Sequence, residues 1–302
     1  MTKVYNKPAL TFEEQLIKLE SRGLIITDHN LAKHQLSTIS YYRLSAYCYP
    51  YRVRSAKGTI ENKFVPNTLF SEVISLYEFD RHLRLLLMDA IERIEIHLRT
   101  TVTYHLGHKY GPLGYVKSQN FHPRFKHEVW LSKLQEEVSR SSDEFVNHFK
   151  RTYTGFPELP IWMITELMSL GSLSFCYKGM SHEDKRAIAN PLNIHYKTLG
   201  DWLHTITYVR NVCSHHGRLW NRELAIRPET RSPDKNWHPP VTPRNDRIFY
   251  ILLILRFLLR KTTPDDQWKT ACEDLIKPFS NKIQWRAAMV LPQSWLEHPL
   301  WV

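Results

Sequence analysis

An all-α fold is predicted by three features of this 302-residue chain. Glycine is scarce, at 10 residues, which argues against a turn-rich β fold. Hydrophobic residues make up 42% and gather in long Leu/Ile-rich segments, enough to bury a real core. Along 69–105, apolar side chains fall at 73, 76, 83, 87, 90, 94 and 98, the three-to-four spacing of one helix face. Length admits one large domain or two small ones. The pattern divides the chain into a helical, basic and aromatic N-terminal segment (1–67), a helical core (68–262) and an aromatic tail (263–302) that packs on the core.

The elements follow in order. Thr11 and Glu14 have capping-box spacing, so a helix is expected to about Ser21, with Gly23 as its stop. "DHNLAKHQLSTI" and "SYYRLSAYCYPYRVR" read as two short helices, and 56–67 as a loop or short hairpin. Arg43, Arg52, Arg54, Lys57 and Lys63 accompany five tyrosines between 41 and 51. Such interleaving suits single-stranded nucleic acid, whose phosphates pair and whose bases stack, and makes Arg43, Arg52, Arg54 and Lys57 candidate RNA contacts. The competing reading puts the tyrosines in the core and the arginines in solvent. The helix over 69–105 carries Asp80–Arg84, Asp89–Arg93 and Glu95–Arg99 pairs at i,i+4. Its length would be roughly 50 Å.

A connector over 107–127 precedes helices at about 127–139 and 142–151. "GFPELP" breaks the chain, and 160–180 reads as one buried helix bent near Gly171. Ser181 and Asp184 have the shape of a capping box with Asp in place of Glu. A helix from Tyr196 ends near Ser214, with Gly217 a natural stop. A Pro-rich loop fills 223–245, and the 247–260 helix closes the bundle.

The net charge of +11 and a pI near 9.4 favour polyanionic partners, nucleic acid ahead of an acidic membrane surface. Cys48, Cys176, Cys213 and Cys272 form no CxxC, so neither a zinc ribbon nor a disulfide framework is indicated, and free buried thiols in a reducing cytosol fit best. "MTKVYNKPALTFEEQ" has no apolar leader segment. "IFYILLILRFLLR" is interrupted by Arg256 and falls short of the roughly 20 residues that span a bilayer. A cytoplasmic protein without a membrane partner is expected.

The densest chemistry is "RNVCSHHGRLWNR" (210–222), with three arginines, two asparagines and two adjacent histidines. Cutting RNA without a metal or cofactor needs few groups. The ribose 2′-OH must lose a proton and the 5′ leaving oxygen must gain one, and an imidazole does either near neutral pH. A guanidinium stabilises the charge that builds on phosphorus, and a carboxamide orients its neighbours. Arg210, Asn211 and His215 are the candidates, with His216, Arg218 and Asn221 as possible accessories. On a continuing helix Asn211 and His215 stand about 40° apart, whereas Arg210 and His215 stand about 140° apart. Either the helix breaks between them or two copies meet across a twofold axis. The bland alternatives are a polar helix end, a satisfied core histidine, or a metal site on Cys213, His215 and His216, for which no further ligands stand nearby.

That segment resembles the signature of the Abi-like family of bacterial abortive-infection proteins (the AbiD/AbiF group), within the HEPN superfamily. "ISYYRLSAYCYPYR", "FDRHLRLLLMDAIERIEIHLRT", "LPIWMITELMSLGSLS" and "PQSWLEHPLW" are also similar to the family, in its order. The resemblance implies a HEPN-type helical bundle, a homodimer with two R-x4–6-H motifs at one composite site, and metal-independent RNA cleavage leaving a 2′,3′-cyclic phosphate and a 5′-OH. Arg210 then binds phosphate, Asn211 positions, and His215 is the general acid or base. A role in phage defence is implied, with RNA as partner, including a small non-coding RNA, and with an antitoxin or phage-derived trigger. Because such sites recruit a polar residue from a neighbouring helix, Glu92, Glu95 and Glu166 are further candidates. Against that, Glu95 has Arg99 to pair with, and Glu92 has Arg93 or a partner helix. Two alternatives stand beside the nuclease: an RNA-binding protein that does not cleave, and a protein-binding module of a toxin–antitoxin system.

Overall fold

A computed structural model of the chain describes residues 4, 6–229, 231–263 and 266–302; the opening stretch on which the leader expectation rests lies partly outside them. The protein is mostly α, with thirteen α-helices and one two-stranded sheet among the described residues. It divides into two compact units, Met1–His82 and Leu83–Val302.

In the first unit α1 (Phe12–Glu20) starts with the full capping box: Thr11 Oγ1 accepts the Glu14 N–H at 3.2 Å, and Glu14 accepts the Thr11 N–H at 2.7 Å. Gly23 turns the chain at φ 91. Helix α2 (His29–Ile39) is capped by Asp28. Helix α3 (Tyr41–Cys48) follows, capped by Ser40. Leu16, Leu36, Leu44 and Tyr47 form the core here, and the Tyr47 hydroxyl donates to buried Asp80 at 2.7 Å. Residues 49–54 do not continue as helix. Pro50 sits in a single 3-10 turn, and β1 (Arg52–Arg54) then pairs antiparallel with β2 (Ile60–Phe64). The hairpin expected over 56–67 is present, and its first strand claims the end of the segment read as helical.

Helix α4 (Phe70–Tyr110) has 41 residues, about 60 Å, five residues beyond its expected end. All seven apolar positions of the predicted stripe are buried. Of the expected pairs, Asp89–Arg93 closes at 3.1 Å and Glu95–Arg99 at 2.7 Å.

The second unit contains the rest of α4, from Leu83 on. Helices α5 (His127–Arg140) and α6 (Glu144–Thr152) follow a connector that begins after Tyr110. The stretch 160–180 breaks rather than bends: α7 (Ile161–Leu167) stops, Met168 goes extended, and Ser169 caps α8 (Leu170–Gly179) by accepting the Ser172 N–H. The break lies before Gly171 because Arg99 takes the carbonyls freed there, those of Thr165 and of Met168, the latter at 3.0 Å. Helix α9 (His182–Ala189) is capped by Ser181. Helix α10 (Tyr196–Ser214) buries Leu199, Leu203, Ile206 and Val209 in the core. Helix α11 (Ile248–Thr262) is buried on nearly every side, and its Arg256 reaches Asp266 at 2.7 Å and the Trp301 carbonyl at 3.3 Å. The tail is not loose chain: it forms α12 (Gln267–Ser280) and α13 (Ile283–Met289), and Trp268 donates to the Leu86 carbonyl at 2.8 Å. All four cysteines are free and buried, and burial pushes the Cys48 and Cys176 thiols up to about 12. Among the described residues no helix is long and apolar enough to cross a membrane.

Asp184, at the start of α9, is fully buried. Lys109, His105 and Tyr110 of α4 reach it at 2.8, 2.7 and 2.9 Å, and Ser181 at 2.6 Å. Burial alone would raise its carboxyl, but the hydrogen bonds from Lys109, Ser181, His105 and Tyr110 outweigh it and hold the pKa at about 2. Because the folded value lies below the unfolded one near 4, this group's stabilisation is complete above about pH 4 and disappears as pH falls toward 2. Asp184→Asn is expected to cost about 3–5 kcal/mol at pH 7. In acid titrations followed by circular dichroism, it should also flatten the fall in stability between about pH 4 and 2; an unchanged acid limb would contradict this account. Leu87→Ala, at a position with no exposed surface, is expected to cost about 2–5 kcal/mol in chemical denaturation.

Candidate functional site

The opening motif sits where α10 ends, and the closure of that end decides what it exposes. A helix leaves its last carbonyls without partners. Here the His216 N–H donates to the Cys213 carbonyl at 3.0 Å, and the Gly217 N–H donates back to Val212 at 2.8 Å. These are the two bonds of a Schellman end. The left-handed residue of that turn is His216, with φ 55, and not the glycine. Gly217 has a different reason to be small: a Cβ there would lie 3.1 Å from Val212 Cγ1 and 3.2 Å from the Val212 oxygen.

His215 is the cap itself, and its N–H still donates to the Asn211 carbonyl at 3.1 Å. Asn211 and His215 therefore keep their places one turn apart on the same face, and both side chains are exposed. Arg210 is half-buried, and its Nη1 donates to Asn211 Oδ1 at 3.2 Å. The three candidates thus share one helix end, with Asn211 between the other two. His216 has left the helical track, so its ring follows a different direction.

Behind the motif the chain is anchored. Trp220 is almost wholly buried and packs edge-on against Trp285 of α13 at 5.0 Å. Its neighbour Leu219 is buried too, as is Cys213 seven residues earlier. Arg84 of α4 reaches the Gly217 carbonyl at 3.4 Å, and Arg247 donates to the Asn221 carbonyl at 3.0 Å. Asn221 is half-buried, and its Oδ1 is enclosed with no hydrogen-bond partner among the described residues. Arg218 is half-buried, and its carbonyl accepts from Arg222 at 2.8 Å. Trp220, Arg84 and Arg247 position the loop; sequence reasoning read Arg84 only as a helix partner of Asp80 and did not single out the other two. Trp220 stood inside the motif, but its burial had no signal apart from its size.

Among the described residues no hydrogen bond or ion pair links Glu92, Glu95 or Glu166 to Arg210, Asn211 or His215. Glu95 is held on Arg99, which caps α7. Glu92 is exposed, and Arg93 pairs with Asp89 rather than with Glu92. Glu166 is exposed in a cleft it shares with Trp162, Tyr104 and His108, to which no motif residue contributes. Of the candidate RNA contacts, all in the first unit, Arg54 and Lys57 are exposed on the hairpin strand and its turn. Arg43 and Arg52 are half-buried, Arg52 beside Cys48. The tyrosines divide: Tyr47 is core, whereas Tyr42 is 89% exposed. Among the described residues no group of three or more His, Cys, Asp or Glu is placed to hold a metal ion.

No curated protein and no solved structure matches the chain. A family model described as Abi-like protein matches residues 34–221, well over half of the chain. The matched span begins in α2, includes the tyrosine-rich block, α4 and the break between α7 and α8, ends at Asn221 within the motif, and stops short of the tail. The chain belongs to the Abi-like protein family.

Proposed function

We propose that this protein is a metal-independent endoribonuclease of the HEPN type that acts in abortive infection as a homodimer. One observation carries the reading: Arg210, Asn211 and His215 stand together at the closed, solvent-facing end of a helix whose other face is core. In this reading His215 takes the proton of a ribose 2′-OH. The 2′ oxygen attacks the adjacent phosphorus, and the bond to the 5′ oxygen breaks as that oxygen gains a proton. The products are a 2′,3′-cyclic phosphate and a 5′-OH. Arg210 stabilises the negative charge on the phosphorane, and Asn211 holds Arg210 in place. One imidazole cannot remove and supply protons at the same moment. Two copies facing across a twofold axis supply both groups.

The charge of +11 supports a polyanionic substrate, and membership of the Abi-like family supports the abortive-infection setting. His216 serves the turn, so His215 is the reacting histidine.

Cleavage of bulk cellular RNA in EDTA tests this. His215→Ala is expected to lose about 10²–10⁴-fold in rate, and Arg210→Ala about 10²–10³-fold. His216→Gly, which suits the left-handed position, should keep activity within a few-fold. Cyclic-phosphate ends from the wild type complete the expected result. Tight binding of RNA that stays intact even in phage-infected extracts, with all variants alike, would leave an RNA-binding protein in place of a nuclease. Binding of RNA should also weaken steeply with salt, as counterions return to the phosphates.

A further inference from the structure

A cleft of about 470 Å³ opens between α8, α9 and α10, apart from the motif but on the same helix. Its size suits a nucleotide. Lys178, Lys185, Lys197 and Arg231 line it, against one carboxylate, Asp201. Asp201 already lies 3.7 Å from Arg231, and burial raises its carboxyl. None of the three lysines is ion-paired among the described residues; Lys178 and Lys197 are exposed, and Lys197 Nζ lies over the Tyr196 ring at 6.0 Å. The cations also oppose one another: burial and Lys178 lower Lys185, and burial with Lys185, His122, Arg186 and Lys197 lowers His182. The cleft is thus charged toward an anion that the protein does not itself supply. Rings stand at its mouth. Phe175, which tilts against Phe125 at 5.1 Å, is 41% exposed, and His182 is exposed with His122 stacked on it at 5.4 Å and Tyr196 tilted beside it at 5.5 Å. A lipid headgroup or an acidic side chain gives such rings no aromatic face to stack on, whereas an RNA base does.

Direction comes from α10. His204 and Thr207 line the cleft, and Asn211 lies seven residues beyond His204. Seven residues advance the helix about 10 Å and bring it back to within about 20° of the same face. The floor of the cleft therefore continues along one face of α10 to Asn211 and His215.

We propose that this cleft holds the backbone of single-stranded RNA on Lys178, Lys185 and Lys197, stacks its bases on Phe175 and His182, and leads the strand along α10 to the motif. The inference rests on the RNA reading of the motif for its direction, but its binding test does not require cleavage.

The test uses full-length His215→Ala protein in EDTA and a fluorescein-labelled single-stranded RNA of about 12 nucleotides, read by anisotropy. Lys178→Gln, Lys185→Gln and Lys197→Gln together are expected to weaken binding at least tenfold at about 0.15 M salt. They should also reduce the slope of log affinity against log salt by about two, near 0.7 for each of three phosphate contacts. The matching triple Lys→Arg variant should restore both, and thermal melts confirm that each variant folds. Unchanged affinity and slope in the triple Gln variant would overturn the proposal. So would displacement of the RNA by polyglutamate or by free AMP as effectively as by unlabelled RNA. The two readings fail separately. Lysine-dependent binding without cleavage by the wild type, in phage-infected extracts as well, sinks the nuclease and leaves the cleft standing. Cleavage that ignores the lysines, with unchanged KM, sinks the cleft and leaves the nuclease.

Discussion

The carbonyls at the end of α10 are the constraint on which the site depends. The inner face of this helix is core, with Leu203, Ile206 and Val209 wholly buried, so the helix cannot fray back to find other partners. Its end has to be closed in place. The turn through His216 and Gly217 does this with backbone groups alone. The side chains of Asn211 and His215 are then not needed as caps, and they are left facing solvent. Trp220, two residues past Arg218, sinks into the core and stops the chain from swinging across them.

Arginine plays a recurrent part in this architecture. Arg84 reaches the Gly217 carbonyl, Arg99 the carbonyls at the end of α7, Arg247 that of Asn221, and Arg256 that of Trp301. In each case a guanidinium from one helix or its flank answers oxygens that a terminating segment elsewhere leaves open. The planar fork suits the task because it presents several donors at once. Part of the positive charge seen in the composition is therefore committed to structure, and Glu95 belongs to this scheme because it braces Arg99. The composition alone overstates how much charge faces a partner, which shifts weight to the unpaired lysines of α8, α9 and α10.

How much was legible follows from where the signals lie. The α4 stripe could be read because one continuous helix carries it and packing confirms every position. Thr11 and Ser181 could be read because a cap is a local event of three or four residues. The break before Ser169 could not, since the stretch is apolar on both sides and the group that stabilises the break, Arg99, is 69 residues away from Met168. Strand β1 was hidden because three residues, Arg-Val-Arg, are too few for alternation to show. At the site, Arg210, Asn211 and His215 lie within six consecutive residues and were visible. The basic cleft draws on 178, 185, 197 and 231, and only folding makes them neighbours.

The position of the motif at a C-terminus has a consequence for how a phosphate could be held there. Backbone N–H groups at a helix N-terminus bind anions readily, because they donate and carry partial positive charge. A C-terminus offers neither: its dipole is negative, and its carbonyls repel phosphate. In the Schellman turn even the N–H groups of His216 and Gly217 are spent on carbonyls of the helix. Whatever holds a phosphate beside His215 must therefore come from side chains. Arg210 supplies one such charge on the same helix, steadied by Asn211. A single half-buried guanidinium is a weak grip on a strand with many phosphates, and it does not fix the strand's direction. Grip and direction require further cations on the approach, and the face of α10 that carries Asn211 runs back to three unpaired lysines. Under the proposed reading, binding lies along the helix and chemistry at its end, and a reacting end free of tight ground-state contacts lets the guanidinium act most strongly when charge develops on phosphorus.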